Sequence, residues 1–248
     1  MDENLLQNKT ILVVDDETDL RNILASEFDF MGAKVYQADN ITNAQKIIVE
    51  NKIDLIVSDI RMPGGTGIDL LDILKNKNVT EPPIILITGF ADITPEDAFA
   101  KGAEALISKP FQLDDLIQQT VRYTSPMELR FSEKSIGTFE FKKDYSGTFD
   151  EQVKARKFLL GRGGIATCME LKGKKCDIGE IINFNFKFQD AHLEGVGVCR
   201  WSRLYEQAEG VNCIGFEFLY LDDKTLEFLR AFLKREETRA FIPALSPI

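Results

Sequence analysis

The rhythm of apolar and polar positions changes near residue 125. Ahead of it, short β-branched runs alternate with stretches of helical period. Thr10-Ile11-Leu12-Val13-Val14 is an apolar run closed by Asp15-Asp16-Glu17. Thr18 can cap a helix from Asp19 to about Met31, with Leu20, Ile23, Leu24 and Phe28 on one face and Gly32 as its stop. Ala33 to Ala38 predicts a second strand, and Ile41, Ala44, Ile47 and Ile48 mark the next helix. The run Leu55-Ile56-Val57-Ser58-Asp59-Ile60, closed by Pro63 and Gly64, reads as a strand buried on both faces. A helix from Gly67 to about Lys75 follows, then a strand at Ile84 to Ile87 and a helix opened by Thr94-Pro95. A strand from Ala103 to Ser108 and a helix from Leu113 to Tyr123 complete the series. Five strands alternating with five helices predict an α/β fold, a doubly wound five-stranded parallel sheet.

Beyond Ser125-Pro126 the segments are β-branched or aromatic and separated by Gly, Asp or Lys. They are Ile136 to Phe141, Val153 to Leu160, Ile165 to Leu171, Ile181 to Phe188, Gly195 to Trp201 and Asn212 to Leu219. Asn183 to Phe188 alternates as a half-buried strand should. The pattern predicts an antiparallel sheet or a small antiparallel β-barrel. A C-terminal helix follows, capped by Asp222 or Asp223, with Leu226, Leu229, Phe232 and Leu233 as its apolar stripe. The expected domains are residues 1–124 and 135–248, joined by a linker at 125–134.

Charge supports that division. Residues 1–123 hold 11 Lys/Arg against 21 Asp/Glu, whereas residues 124–248 hold 19 of each. The acidic half is a poor surface for nucleic acid, and the other half lacks helix-turn-helix grammar, so no DNA binding is expected. No apolar run is long enough to span a bilayer, and the chain starts without a basic then apolar leader pattern, which predicts a cytoplasmic protein with no membrane insertion. Cys168, Cys176, Cys199 and Cys213 form no CxxC pair and there is a single His, so buried thiols are expected rather than a metal finger or disulfide frame.

Chemistry concentrates at the strand ends of the first half. Strands of a parallel sheet all point one way, so Asp15-Asp16, Asp59, Thr88-Gly89 and Lys109-Pro110 fall on one edge, where such folds bind ligands. Clustered carboxylates repel one another unless a cation neutralises them, and Mg²⁺ prefers oxygen ligands. Lys109 and the metal can neutralise an incoming phosphoryl group, Thr88 can bond one of its oxygens, and Asp59 is the nucleophile.

These residues resemble a response-regulator receiver domain, through Asp15-Asp16, the block Asp59-Ile60-Arg61-Met62-Pro63-Gly64, Thr88-Gly89 and Lys109-Pro110-Phe111. The resemblance implies phosphoryl transfer to Asp59 from a histidine kinase or phosphotransfer protein. It also implies Mg²⁺ held by Asp16, Asp59 and the backbone carbonyl of Arg61, with Asp15 helping through water. Leu106 stands where the family usually has an aromatic switch residue, and Thr66 stands where Asp is frequent.

The second half resembles a PilZ domain in Gly163-Gly164-Ile165, Gly179-Glu180-Ile181-Ile182, Gly195 to Trp201, Ile214 to Phe218 and the last helix. That resemblance implies a six-stranded barrel and a receptor for cyclic di-GMP, gripped by an RxxxR pair and a [D/N]xSxxG loop. Here Leu159-Leu160-Gly161-Arg162-Gly163-Gly164 keeps only the final Gly, and no RxxxR precedes it. Arg235 and Arg239 have that spacing only at the far end, where a solvated face is expected. Loss of those charge-assisted contacts predicts no binding of cyclic di-GMP in the usual way. Arg156, Lys157 and Arg162 are the residues that could rebuild an anion site. His192 is expected in a polar turn and Trp201 packed on the barrel.

The sequence therefore reads as a two-component response regulator, phosphorylated on Asp59, whose PilZ-like half acts through contacts with an output protein. A receptor integrating phosphorylation with cyclic di-GMP is the alternative. No constellation of acid, base and nucleophile supports an enzymatic output, and a homodimer stays open.

Overall fold

The computed structural model describes residues 4–77, 82–89, 92–133, 137–170, 176–204 and 211–245. Two compact units divide the chain, Met1–Thr94 with Lys101–Pro126, and Pro95–Ala100 with Met127–Ile248. Elements run in the order β1 (Thr10–Val14), α1 (Thr18–Phe30), β2 (Lys34–Ala38), α2 (Ile41–Glu50), β3 (Leu55–Asp59), β4 (Arg61–Met62), β5 (Gly65–Thr66), α3 (Gly67–Lys77), β6 (Ile84–Thr88), α4 (Pro95–Lys101), β7 (Ala105–Ser108) and α5 (Leu113–Thr124). The sheet of the first unit has strand order β2-β1-β3-β6-β7, with every neighbouring pair parallel. The apolar runs explain this arrangement: β1, β3 and β6 are buried on both faces, so the helices must cover both sides. Among the described residues, no helix is long and apolar enough to cross a membrane.

Local chemistry differs from expectation at α1. Thr18 is not the cap, because it already occupies the first helical position, and the extended residue before it is Glu17, which makes no side-chain capping bond. Asn40 does cap α2 by accepting the Asn43 N–H. Lys75 and Glu104 form a fully buried ion pair at 3.6 Å, and Glu104 also accepts the Ile84 N–H at 2.8 Å.

The second unit continues with α6 (Met127–Arg130), β8 (Phe139–Asp144), α7 (Phe149–Lys154), β9 (Phe158–Leu160), β10 (Gly164–Glu170), β11 (Ile181–Lys187), β12 (His192–Leu204), β13 (Val211–Leu221) and α8 (Asp223–Arg235). Its six strands are ordered β8-β11-β12-β13-β10-β9. The expected antiparallel pairing holds except at β8, which runs parallel to β11, so this is a mixed sheet. Ile182, Phe184 and Phe186 point inward from β11 while the residues between them stay partly exposed. They join Phe141, Phe149, Phe158, Phe216 and Phe218 in an aromatic core, with edge-on pairs such as Phe141–Phe186 at 5.3 Å between centroids. The stretch expected as a linker contributes α6 and the buried Phe131 to this unit. Asp222 caps α8 through the Thr225 N–H, and Leu229 and Phe232 are buried from its stripe.

Three further expectations need correction or limits. Val153 to Leu160 is not one strand, because Thr148 and Glu151 form a complete capping box that starts α7, leaving only Phe158–Leu160 as β9. Cys168 and Cys213 face each other across β10 and β13 and form a disulfide, whereas Cys176 and Cys199 are buried free thiols. Ile136 and Leu171, expected as strand ends, lie outside the described residues.

Candidate functional site

The parallel register brings the ends of β1, β3 and β7 together. Asp15, just past β1, and Asp59, the last residue of β3, are both buried. Between them stands the Lys109 ammonium, 2.7 Å from Asp59 Oδ1 and 3.4 Å from Asp15 Oδ2. It also reaches Glu17 Oε1 at 3.2 Å. The other Asp59 oxygen, Oδ2, accepts the Arg61 N–H at 2.6 Å. Asp15 Oδ1 accepts the Glu17 N–H, and the Arg21 guanidinium donates to the Asp15 carbonyl.

Electrostatics follow from this geometry. Burial pushes the Asp15 carboxyl above its ordinary range, although the Glu17 N–H and Lys109 partly oppose the shift. Burial by itself would lower the Lys109 ammonium, but the hydrogen bond to Asp59 and the charges of Asp15 and Asp59 outweigh it and hold its pKa above the usual lysine value. The site therefore keeps a fixed cation against two buried carboxylates at one edge of the sheet.

Thr88 ends β6 and is buried, and its hydroxyl donates to Asp92 Oδ2 at 2.9 Å. Asp92 in turn accepts from Arg61 Nε at 2.6 Å. Arg61 thus has two roles on one residue, its N–H on Asp59 and its guanidinium on Asp92. Thr66 donates to Asp69 through both N–H and hydroxyl, a local cap for α3. Leu106 is half-buried on β7, opposite Leu86.

Four participants were missed from sequence. Glu17 is the third acid of the Asp15-Asp16-Glu17 run, a signal present but not used. Asp69 completes with Thr66 a Thr-x-x-Asp capping pattern that was present but not used, and Asp92 carries no sequence pattern of its own. Gly67 lies so close to the Asp59 carbonyl that a side chain there would collide with β3, and its N–H bonds the Ile60 carbonyl.

The donors Asp15, Asp59 and the Arg61 carbonyl are hard oxygens of the kind that suit Mg²⁺. Asp16 is exposed next to them. Among the described residues no group of three or more His, Cys, Asp or Glu is close enough to form a metal cluster. Lys109 pairs with the carboxylates of Asp15 and Asp59, and the oxygen donors of the site fit a divalent ion.

In the second unit the expected anion residues do not meet. Arg162 donates to the Arg239 carbonyl and lies over the Phe241 ring, whereas Arg156 and Lys157 line a separate cavity. The Gly161–Gly164 loop is covered by the chain's own Arg239–Leu245 segment: the Arg162 and Gly163 N–H groups donate to the carbonyls of Ala240 and Phe241. Arg235 pairs with Asp150 on α7, so the Arg235–Arg239 spacing forms no joint site. His192 opens β12 and contacts Asn185 and Glu194 on the exposed face. Trp201 is buried against Gly215.

Residues 11–121 match the family described as response regulator receiver domain. Over 123 residues the chain is 35% identical to the phosphate regulon transcriptional regulatory protein PhoB of Pseudomonas aeruginosa, covering 48% of this chain and 54% of that protein. It is 28% identical over 121 residues to sporulation initiation phosphotransferase F of Bacillus subtilis, covering 48% of this chain and 95% of that protein. The response regulator protein TrrA of Thermotoga maritima, solved in complex with Mg²⁺-BeF, is 30% identical, with 46% of this chain and 98% of that chain covered and a TM-score of 0.43. The chain spans about half the length of the PhoB relative and 29% of the regulatory protein AtoC of Escherichia coli.

Proposed function

Because residues 11–121 are a response regulator receiver domain, homologous to phosphorylated two-component regulators, we propose that Asp59 accepts a phosphoryl group from a histidine kinase or phosphotransfer protein. The observation that carries this reading is the Lys109 ammonium held 2.7 Å from Asp59 Oδ1. An oxygen of Asp59 attacks phosphorus, the phosphorus–nitrogen bond of the donor phosphohistidine breaks, and the released imidazole nitrogen takes up a proton from solvent. The new acyl phosphate adds negative charge beside two carboxylates, and Lys109 is the chain's own counter-charge for it. Mg²⁺, when bound by Asp15, Asp16, Asp59 and the Arg61 carbonyl, supplies further neutralisation of the transferring group. The Arg61 N–H orients the carboxylate.

Thr88 is the residue expected to bond a phosphoryl oxygen, and it begins on Asp92. Engagement of Thr88 by the phosphoryl group therefore releases Asp92 Oδ2, while Asp92 Oδ1 stays on the Arg61 guanidinium. This exchange is a two-state change at the end of β6, through which phosphorylation alters the surface that the receiver presents for protein contacts. The sheet-rich second unit is the output half, PilZ-like in its sequence motifs, acting on an unidentified partner protein. Cyclic di-GMP as its ligand is disfavoured because Arg156 and Arg162 are separated and the Gly161–Gly164 loop is occupied by Arg239–Leu245.

Acetyl phosphate with Mg²⁺, followed by intact-mass spectrometry, tests the first step. One phosphate should appear on the wild type and none on Asp59→Asn; label that persists in the variant places the acceptor elsewhere and rejects the proposal.

A further inference from the structure

A short helix in the second unit ends in an unusual way. α7 closes with Ala155, after which the Arg156 N–H bonds the Val153 carbonyl at 2.9 Å and the Lys157 N–H bonds the Gln152 carbonyl at 3.0 Å. This is the Schellman pattern, whose penultimate position adopts the left-handed conformation and is usually Gly. Here that position is Arg156, with φ of 51°. A side chain at such an angle costs backbone energy that Gly would avoid.

The same residue lines a cavity of about 450 Å³ whose described lining residues all belong to the second unit. Lys157 and Lys143 line it with Arg156, and among the described residues the lining holds these three basic residues and one acid, Asp144. Lys143 is fixed rather than swinging, since its ammonium donates to the Cys168 carbonyl at 3.0 Å and lies 4.7 Å from the Tyr145 ring centroid. Leu245 and Tyr145 add apolar surface to the lining. The cavity lies at the carboxyl end of β8 and before the start of β9, whereas the Gly161–Gly164 loop follows the end of β9.

We propose that this cavity binds a phosphate-bearing small molecule, with Arg156, Lys157 and Lys143 on the phosphate oxygens. Guanidinium and ammonium groups gathered on a concave surface recognise phosphate through charge-assisted bonds. The volume exceeds what one phosphate fills and lies in the range of ordinary ligand cavities, leaving room for an organic part against Leu245 and Tyr145.

Isothermal titration of the full chain with inorganic pyrophosphate, in EDTA and at physiological salt, tests the proposal. One saturable site is expected on the wild type, with an affinity of about 1 mM or tighter. Asp59→Asn should bind equally well, which separates this cavity from the receiver edge. Lys157→Ala should weaken binding about 10-fold, and exposed Lys187→Ala should not change it. Arg156→Gly gives opposed readouts: binding weaker by about 10- to 100-fold, yet a melting temperature higher by about 2–4 °C in the absence of pyrophosphate. A surface charge without a ligand would show the second change alone. Absence of saturable binding on the wild type overturns the proposal, as does binding unchanged by both cavity variants or abolished by Asp59→Asn.

Discussion

Gly67→Ala probes how closely the proposed phosphoryl site is built. The added methyl would meet Ser58 Oγ at 2.9 Å and the Asp59 carbonyl carbon at 3.1 Å, with the Asp59 carbonyl oxygen nearer still. Ordinary contact begins at 3.4 Å, and two of these three atoms are backbone that cannot rotate away. The end of β3 and the start of α3 must therefore separate by about 1 Å, an overpacking strain of roughly 1–3 kcal/mol. Asp59 moves with its backbone, while Lys109 is carried by β7 on the other side of β6. The 2.7 Å contact between them is what lengthens. Misplacement of about 1 Å at a reacting group costs about 100-fold in rate, so acetyl phosphate labelling of Gly67→Ala should slow by roughly that factor. Urea denaturation measures the accompanying loss of stability. Gly64→Ala is the control, because Gly64 has φ of +84° but no atom within 4 Å of an added methyl. It should lose about 1 kcal/mol of stability and keep its labelling rate. A Gly67→Ala protein labelled at the wild-type rate would refute the argument that this glycine sets the position of Asp59.

Other predictions address parts of the fold that hold the site or shape the second unit. Lys75→Met leaves the buried Glu104 carboxylate uncompensated and should cost about 3–5 kcal/mol in urea denaturation, whereas Lys75→Met with Glu104→Gln removes the charge, keeps an acceptor for the Ile84 N–H and should recover most of that loss. A double variant as unstable as the single one would show that the charge is not the cause. Gly163→Ala drives a methyl into the Phe241 ring and should release the Arg239–Leu245 segment, read as faster proteolytic clipping after α8 with the rest of the unit intact. Reducing the Cys168–Cys213 disulfide removes a crosslink between residues 45 apart in sequence and should lower stability by about 2–4 kcal/mol, an effect that dithiothreitol should not have on Cys168→Ser.

Much of the first unit could be read from its sequence because its strands are buried on both faces. Such strands appear as unbroken β-branched runs, and a parallel sheet then fixes where their ends go. Asp15, Asp59 and Lys109 were legible for that reason. Gly67 and Asp92 were not, since their importance comes from a close approach and a hydrogen bond that no periodicity encodes. In the second unit, Thr148 and Glu151 have the spacing of a capping box, but the helix they open spans only six residues and ends on Arg156 without a Gly to mark its stop. The β-branched and aromatic residues around it therefore read as one strand. Strand direction was equally hidden: the alternation of β11 reveals which side chains are inward, not whether β8 beside it is parallel. The Cys168–Cys213 pairing depends on the register between β10 and β13, which the spacing of 45 residues conceals.

The order of strands in that second sheet has a consequence for how the chain is made. β11, β12 and β13 are consecutive in sequence and neighbours in space, so they can pair by short hairpin-like steps. The earlier strands cannot: β8 waits for β11 and β10 waits for β13, and each pairing closes a long loop. During synthesis, Phe139, Phe141, Phe149 and Phe158 emerge before the strands that will cover them exist. The portion translated last is the template for the portion translated first, and the interval between them is when this unit is most open to aggregation.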